Sequence, residues 1–176
     1  MNERDIMPFF HSALIVKQSA IHGQGVFVTA KIRKGTPIIR FGGFLFDVSE
    51  RFSKKVKPST SIALSETVLL AETPETEKDL SDYINHSCNP NCGLSDAITL
   101  CAITDLSGGD EIFVDYAFWE AREDYVMKEK CRCGASNCRT TITGSDWSIP
   151  TVYKPNINFF SPFIRRRILA LQKISS

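Results

Sequence analysis

From Leu14 to Asp115, short apolar, β-branched or aromatic runs recur along the chain: Leu14–Val16, Val26–Thr29, Pro37–Phe41, Phe44–Val48, Val68–Ala71, Ile98–Ile103 and Glu111–Asp115. Turn formers stand between them, at Gly23-Gln24-Gly25, Lys34-Gly35, Gly42-Gly43 and Gly108-Gly109. Runs this short with that punctuation predict strands, because branched and aromatic side chains fit a pleated, half-buried surface while glycine supplies the backbone angles of tight reversals. A mainly β, mostly antiparallel domain follows. In the last run, Ile112 and Val114 alternate with Glu111, Phe113 and Asp115, the period of a strand with one buried face, and Tyr116 stands at its end. Helical spacing is confined to Trp119–Lys128 and Ser161–Lys173. In the second stretch Ser161 can cap, Pro162 suits the first helical position, and Ile164, Ile168 and Leu171 share a face.

A length of 176 residues suits one domain of ordinary size, and 43% hydrophobic with 23% charged residues exclude a disordered chain. The 21 Lys and Arg against 20 Asp and Glu leave a net charge of +1, which argues against direct nucleic-acid binding. The first apolar stretch is broken by His11 and Ser12, and Val68–Ala71 falls far below the ~20 residues of a bilayer span. These features predict a soluble intracellular protein, cytoplasmic or nuclear, with no membrane contact and with its six cysteines held as thiols. Five acids between Glu72 and Asp82 read either as a wall for a basic peptide or, more commonly, as a solvated loop. Arg165, Arg166 and Arg167 point about 100° apart on a helix and predict a solvated face.

Two segments concentrate chemistry. Asp82-Tyr83-Ile84-Asn85-His86-Ser87-Cys88-Asn89-Pro90-Asn91-Cys92 packs amide, imidazole, hydroxyl and thiol groups into what Pro90 and the asparagines predict to be an irregular loop. Cys131-Arg132-Cys133-Gly134-Ala135-Ser136-Asn137-Cys138 brings three thiols into eight residues, a spacing that converges on a metal ion. Structural zinc takes four tetrahedral ligands, so a fourth comes from elsewhere, with Cys88, Cys92 and Cys101 as candidates.

Taken in order, Gly23-Gln24-Gly25, Phe41-Gly42-Gly43, Asn85 to Asn91, Glu111 to Tyr116 and Cys131/Cys133/Cys138 resemble the SET-domain protein lysine methyltransferases with a post-SET zinc motif. The resemblance spans about Lys17 to Gly144. It implies a SET fold of short antiparallel sheets with a pseudoknot near the active site, few short helices, a C-terminal zinc motif and a terminal helix. The implied layout is a SET domain over residues 1–120 with its core from about 14, a post-SET motif over 127–144 and an extension over 145–176. The implied activity is transfer of methyl groups from S-adenosylmethionine to a lysine of a protein substrate, histone or not, such as a basic tail. The alternative is a non-catalytic SET-like binding module.

Residue by residue, the resemblance assigns His22, Gly23, Gln24, Asn85, His86 and Tyr116 to the cofactor, and Tyr116 to catalysis. Among the three candidates for the fourth ligand it selects Cys88, which with Cys131, Cys133 and Cys138 binds one structural zinc. Four positions depart from the pattern: Gln24 where an aromatic is common, Phe41 for tyrosine, Asp82 for arginine, and Val114 where Phe or Tyr limits the number of methyls accepted. Valine there implies room for di- or trimethyllysine, unless Phe118 or another ring fills the space.

Overall fold

The structure is a computed structural model, and it describes residues 4–174. Eleven short strands among these residues are β1 (Phe9–Phe10), β2 (Leu14–Gln18), β3 (Gln24–Val28), β4 (Pro37–Arg40), β5 (Phe44–Asp47), β6 (Ile62–Ala63), β7 (Val68–Ala71), β8 (Asn85–His86), β9 (Cys92–Leu94), β10 (Thr99–Ala102) and β11 (Phe113–Val114). They form a six-stranded sheet in the order β1-β4-β10-β9-β11-β8, the pair β2-β3, and a three-stranded sheet β5-β7-β6. The mainly β expectation holds, and the motif expected to be an irregular loop starts in the turn Leu80–Tyr83, passes through the strand β8 and ends at the first residue of β9.

Pairing is antiparallel except at β11, which runs parallel to both β8 and β9. These two neighbours are joined directly by residues 87–91, so a later strand lies between two earlier ones, the interlocked arrangement that the resemblance implies. Side-chain and backbone groups of the joining loop supply the pairing that such short strands lack. The Ser87 N–H donates to Val114 O (3.0 Å), the Phe113 N–H donates to Asn91 Oδ1 (2.7 Å), and Asn91 Nδ2 donates to Glu111 O (2.8 Å). Asn91 thereby acts as an extra rung of the ladder.

The main core lies around the six-stranded sheet, with Ile38, Ile39, Leu94, Leu100, Ile112 and Val114 fully buried. The C-terminal segment closes it through α1 (Pro150–Asn156) and α2 (Pro162–Ile174). Phe160 meets Phe118 edge-on at 4.9 Å, and burying such a ring contributes roughly 2–3 kcal/mol. As the sequence predicts, Ser161 Oγ caps α2 by accepting from the Ile164 N–H (3.2 Å), and Ile164 and Ile168 are buried. Leu171 departs from that face and is 41% exposed, so the buried stripe runs through Phe163 instead. None of the described helices is long and apolar enough to cross a membrane.

The helix expected over Trp119–Lys128 does not form. Glu120 accepts from both the Arg122 N–H and the Arg122 guanidinium, turning the chain. Residues 125–127 then find backbone partners in 142–144: the Met127 N–H donates to Ile142 O (2.8 Å) and the Gly144 N–H to Tyr125 O (3.0 Å). Tertiary pairing satisfies the backbone groups that a helix would have satisfied locally.

The acidic stretch is not a wall. Glu72 is buried against Arg4 (2.9 Å), Asp82 binds Lys57 (2.9 Å), and Asp79 caps the turn Leu80–Tyr83. Only Glu75 and Glu77 face solvent fully. The departure at Asp82 thus has a local use, anchoring the segment that carries Lys57.

Candidate active site and metal centre

Glu111 and Asp115 belong to the face of the last strand that alternation predicts to be exposed, yet they are 8% and 1% exposed. Each organises half of the site. Glu111 accepts from Ser19 Oγ (2.9 Å) through Oε2 and from Asn85 Nδ2 (2.8 Å) through Oε1. The same Asn85 amide reaches His22 O (3.1 Å) and Gln24 O (3.0 Å), fastening the glycine-rich turn to β8. Gly25 is dictated by this clamp: a Cβ there would overlap the Glu111 carboxylate. Gly23 adopts φ +50°, the left-handed turn that glycine favours. Gln24 contributes its carbonyl to the clamp and keeps its side chain exposed, so the missing aromatic leaves this fastening intact.

Asp115 holds the other half. It takes the Arg139 guanidinium through two 2.7 Å bonds, while Arg139 Nε binds Asp146 (2.7 Å) and the Arg139 N–H donates to Cys88 Sγ (3.3 Å). The Arg139 guanidinium stays firmly charged: burial opposes the charge, but the two carboxylates outweigh it. His86, 5% exposed, accepts from the Tyr116 N–H at Nδ1 (3.2 Å) and lies 3.4 Å from Cys88 Sγ at Nε2. The Nδ1 contact assigns the ring proton to Nε2. Burial lowers the His86 pKa to about 4, Asp115 opposing, so the ring is neutral near pH 7.

Tyr116 ends β11 in a tight turn. Its hydroxyl donates to Ile84 O (2.9 Å), and its ring packs at 5.1 Å on His86 and 5.8 Å on Trp119, whose ring meets Phe41 edge-on at 5.5 Å. Burial raises the Tyr116 pKa well above the ordinary phenol value, so the hydroxyl keeps its proton. Phe41 lacks the family hydroxyl but keeps the ring contact. Val114 is fully buried in the core and Phe118 packs on Phe160, so neither lines the cleft beside Tyr116.

That cleft holds about 350 Å³, within the roughly 300–1,000 Å³ of small-molecule sites. His22, Asn85, His86 and Tyr116 form one wall and residues 127–132 the other. Of the expected cofactor residues, Gly23 and Gln24 alone are absent from the walls; they follow His22 directly in the clamped turn.

The Sγ atoms of Cys88, Cys131, Cys133 and Cys138 all lie within 4.8 Å of one another, while a zinc ion ~2.3 Å from each needs them roughly 3.8 Å apart. The donor set fits that ion. Burial pushes the Cys88 and Cys131 thiols up; at Cys133 it is overcome by backbone and thiol hydrogen bonds that draw the group down. A divalent cation supplies what buried thiolates need, and the donors from His86 and Arg139 to Cys88 orient that ligand. Cys92 and Cys101 stand apart from the cluster, buried as free thiols. The spacing left three candidates for the fourth ligand; the geometry brings Cys88 alone of the three to the others.

Sequence reading passes over Ser19, Arg139 and Asp146, and it places Glu111 and Asp115 in the motif that ends at Tyr116 without giving either a role. The one available signal was in Glu111 and Asp115 themselves, carboxylates alternating with core positions at a strand that ends in the candidate tyrosine.

The SET domain family matches residues 23–117, more than half of the chain. Histone-lysine N-methyltransferase trr of Drosophila melanogaster is 33% identical over 135 residues, covering 69% of this chain and 5% of its own length. Histone-lysine N-methyltransferase 2B of Homo sapiens is 30% identical over 152 residues, covering 79% and 6%. A Saccharomyces cerevisiae histone-lysine N-methyltransferase, H3 lysine-4 specific, is 28% identical over 136 residues, covering 69% and 12%. The chain thus spans only a small part of the length of these three relatives.

Proposed function

The chain belongs to the SET-domain family, and from that premise we propose that it transfers methyl groups from S-adenosylmethionine to a lysine side chain of a protein, a histone being the first candidate. The observation that carries this reading is the placement of Tyr116, its hydroxyl pinned to Ile84 O beside His86 and Asn85 in a cleft whose other wall is the segment that carries Cys131. His22, Asn85, His86 and Tyr116 hold the cofactor, with Gly23 and Gln24 completing the turn. S-adenosylmethionine supplies an electrophilic methyl on its sulfonium. With the cofactor bound, a lysine amine that has already given up a proton to water would form its bond to that carbon as the carbon–sulfur bond breaks, the electron pair staying on sulfur.

A free lysine has a pKa of about 10.4 and is mostly protonated at neutral pH. The rings of Phe41, Trp119 and Tyr116 exclude water from the amine and disfavour its charged form. With its proton committed to Ile84 O, the Tyr116 oxygen offers lone pairs that hold methyl and amine in line, and such positioning supplies much of the rate. No aromatic ring stands at position 114, and since the buried Val114 does not itself reach the cleft, that missing ring is what supports acceptance of more than one methyl group.

Incubating the chain with labelled cofactor and histone H3, then mapping the product by mass spectrometry, tests the reading. Methyllysine is expected, reaching di- or trimethyl forms at saturation. No labelled lysine on H3 or on a whole-cell protein pool contradicts the activity, and monomethyl product alone contradicts the role of Val114.

A further inference from the structure

A second, smaller cleft of about 160 Å³ lies beside the turn that carries Trp119, lined by three guanidiniums, Arg51, Arg122 and Arg167, and by Glu66 and Glu120. Two of the three already show what chemistry the cleft accepts. Arg122 takes the Glu120 carboxylate through two nitrogens, at 3.1 Å each from Nε to Oε1 and Nη2 to Oε2. Arg167 takes Glu66 in the same manner, Nε to Oε1 (3.1 Å) and Nη2 to Oε2 (2.5 Å). Arg51 has no such partner. It is 6% exposed, and its guanidinium makes one hydrogen bond, Nη1 to Ser61 Oγ (2.6 Å), with no carboxylate in ion-pair range among the described residues.

The vacant donors of Arg51 are not sealed in. No fully buried side-chain nitrogen in the described residues lacks a hydrogen-bond partner, so the unpaired nitrogens of Arg51 keep contact with solvent, and the cleft is the opening beside them. Burial works against the Arg51 charge and Arg122 adds to the strain, with Glu120 and Asp124 offsetting only part of it. A guanidinium in that situation gains from a planar oxyanion that it can grip with two parallel bonds. The volume admits one side-chain carboxylate and no larger charged group such as a nucleotide.

Position says where the carboxylate comes from. The cleft begins at Glu120, whose N–H donates to Tyr116 O (2.8 Å), and Trp119 between them packs on the Tyr116 ring. Because the cleft adjoins the turn that carries Tyr116, a protein segment whose lysine reaches Tyr116 brings its flanking side chains toward it, each further extended residue adding about 3.3 Å of reach. We propose that the Arg51 cleft is a specificity site that takes an acidic side chain of the substrate, flanking the methylated lysine; the proposal rests on the methyltransferase reading above. The substrate segment then carries an acidic residue near its target lysine.

Two readouts on the 176-residue chain separate this site from the activity. In the first, N-acetylglutamate amide is titrated while the Arg51 Nε–H resonance is followed by NMR. A saturable shift is expected, absent with N-acetylglutamine amide. In the second, lysine peptides carry Glu or Gln at each flanking position in turn. A preference for Glu of about tenfold in kcat/KM is expected at one position. It falls to about unity in Arg51→Met, with the Gln peptide turned over as by wild type. Arg51→Lys, which keeps a cation on the same stem, retains part of the preference and shows that the loss is not misfolding. Active enzyme with no glutamate preference, or a preference that survives Arg51→Met, overturns the proposal. A larger gain from phosphoserine than from glutamate overturns the choice of carboxylate. If no peptide is methylated, the activity reading fails, and the titration alone decides the site: an unmoved Arg51 resonance overturns it.

Discussion

Tyr116 and Gly25 make opposite demands on a substitution. Tyr116→Phe removes one hydroxyl from a ring fixed by His86 and Trp119, so the fold and the cofactor pocket survive while alignment is lost. Turnover should fall by about a hundredfold or more, with cofactor affinity changed little in a calorimetric titration. Gly25→Ala adds a single methyl, yet that methyl lands on the Glu111 carboxylate that holds Asn85 and Ser19. A loss of about 1–3 kcal/mol in denaturant unfolding is expected, with weaker cofactor binding because the glycine turn loses its clamp. Wild-type stability for Gly25→Ala would refute the clamp. Tyr116, the Asn85-His86 pair and the three clustered cysteines stand out in sequence because each lies in a linear motif of visible chemistry, whereas the spacing leaves three candidates for the fourth cysteine and the resemblance alone selects Cys88. The roles of Glu111 and Asp115 and the part played by Arg139 are not legible there, since strand alternation makes a carboxylate look solvated and only the tertiary fold reveals the partner that buries it.

Elements show the same division between local and distant causes. Strands with clear apolar runs and glycine punctuation, β2 to β5, β7 and β10, form near where the pattern puts them, and α2 forms behind its Ser161-Pro162 start. The two-residue strands β1, β6 and β8 carry too little pattern to read, and β11 takes parallel neighbours through an interlocking no local signal encodes. The expected helix at Trp119–Lys128 gave way because residues 142–144 offer its backbone better partners. The strongest tie between elements is Arg139, which joins the end of β11 to the cysteine segment through Asp115, Asp146 and Cys88. Arg139→Met leaves Asp115 and Asp146 as buried, unpaired carboxylates, and a loss of roughly 3–5 kcal/mol is expected in urea unfolding. A change within experimental error would show that the tail is held by the cysteines alone.

On the scale of the whole molecule, the cleft is built from two parts distant in sequence. One wall comes from β8 and the glycine turn. The other, residues 127–132, is held against it where Cys131, Cys133 and Cys138 converge on Cys88, next but one to His86, and where Arg139 binds Asp115. Near-neutral charge and ordinary size gave no hint of this division of labour, whereas the cysteine spacing did. On the proposed activity, zinc held by the four cysteines anchors the tail that completes the site of methyl transfer. This anchoring role is tested most directly by measuring zinc content and methyl transfer to histone H3 on the same samples during stepwise chelation. The account predicts one zinc per chain at the start, activity falling in proportion to zinc removed, and recovery of both on zinc addition. A metal-free chain that transfers methyl groups at the wild-type rate would contradict it.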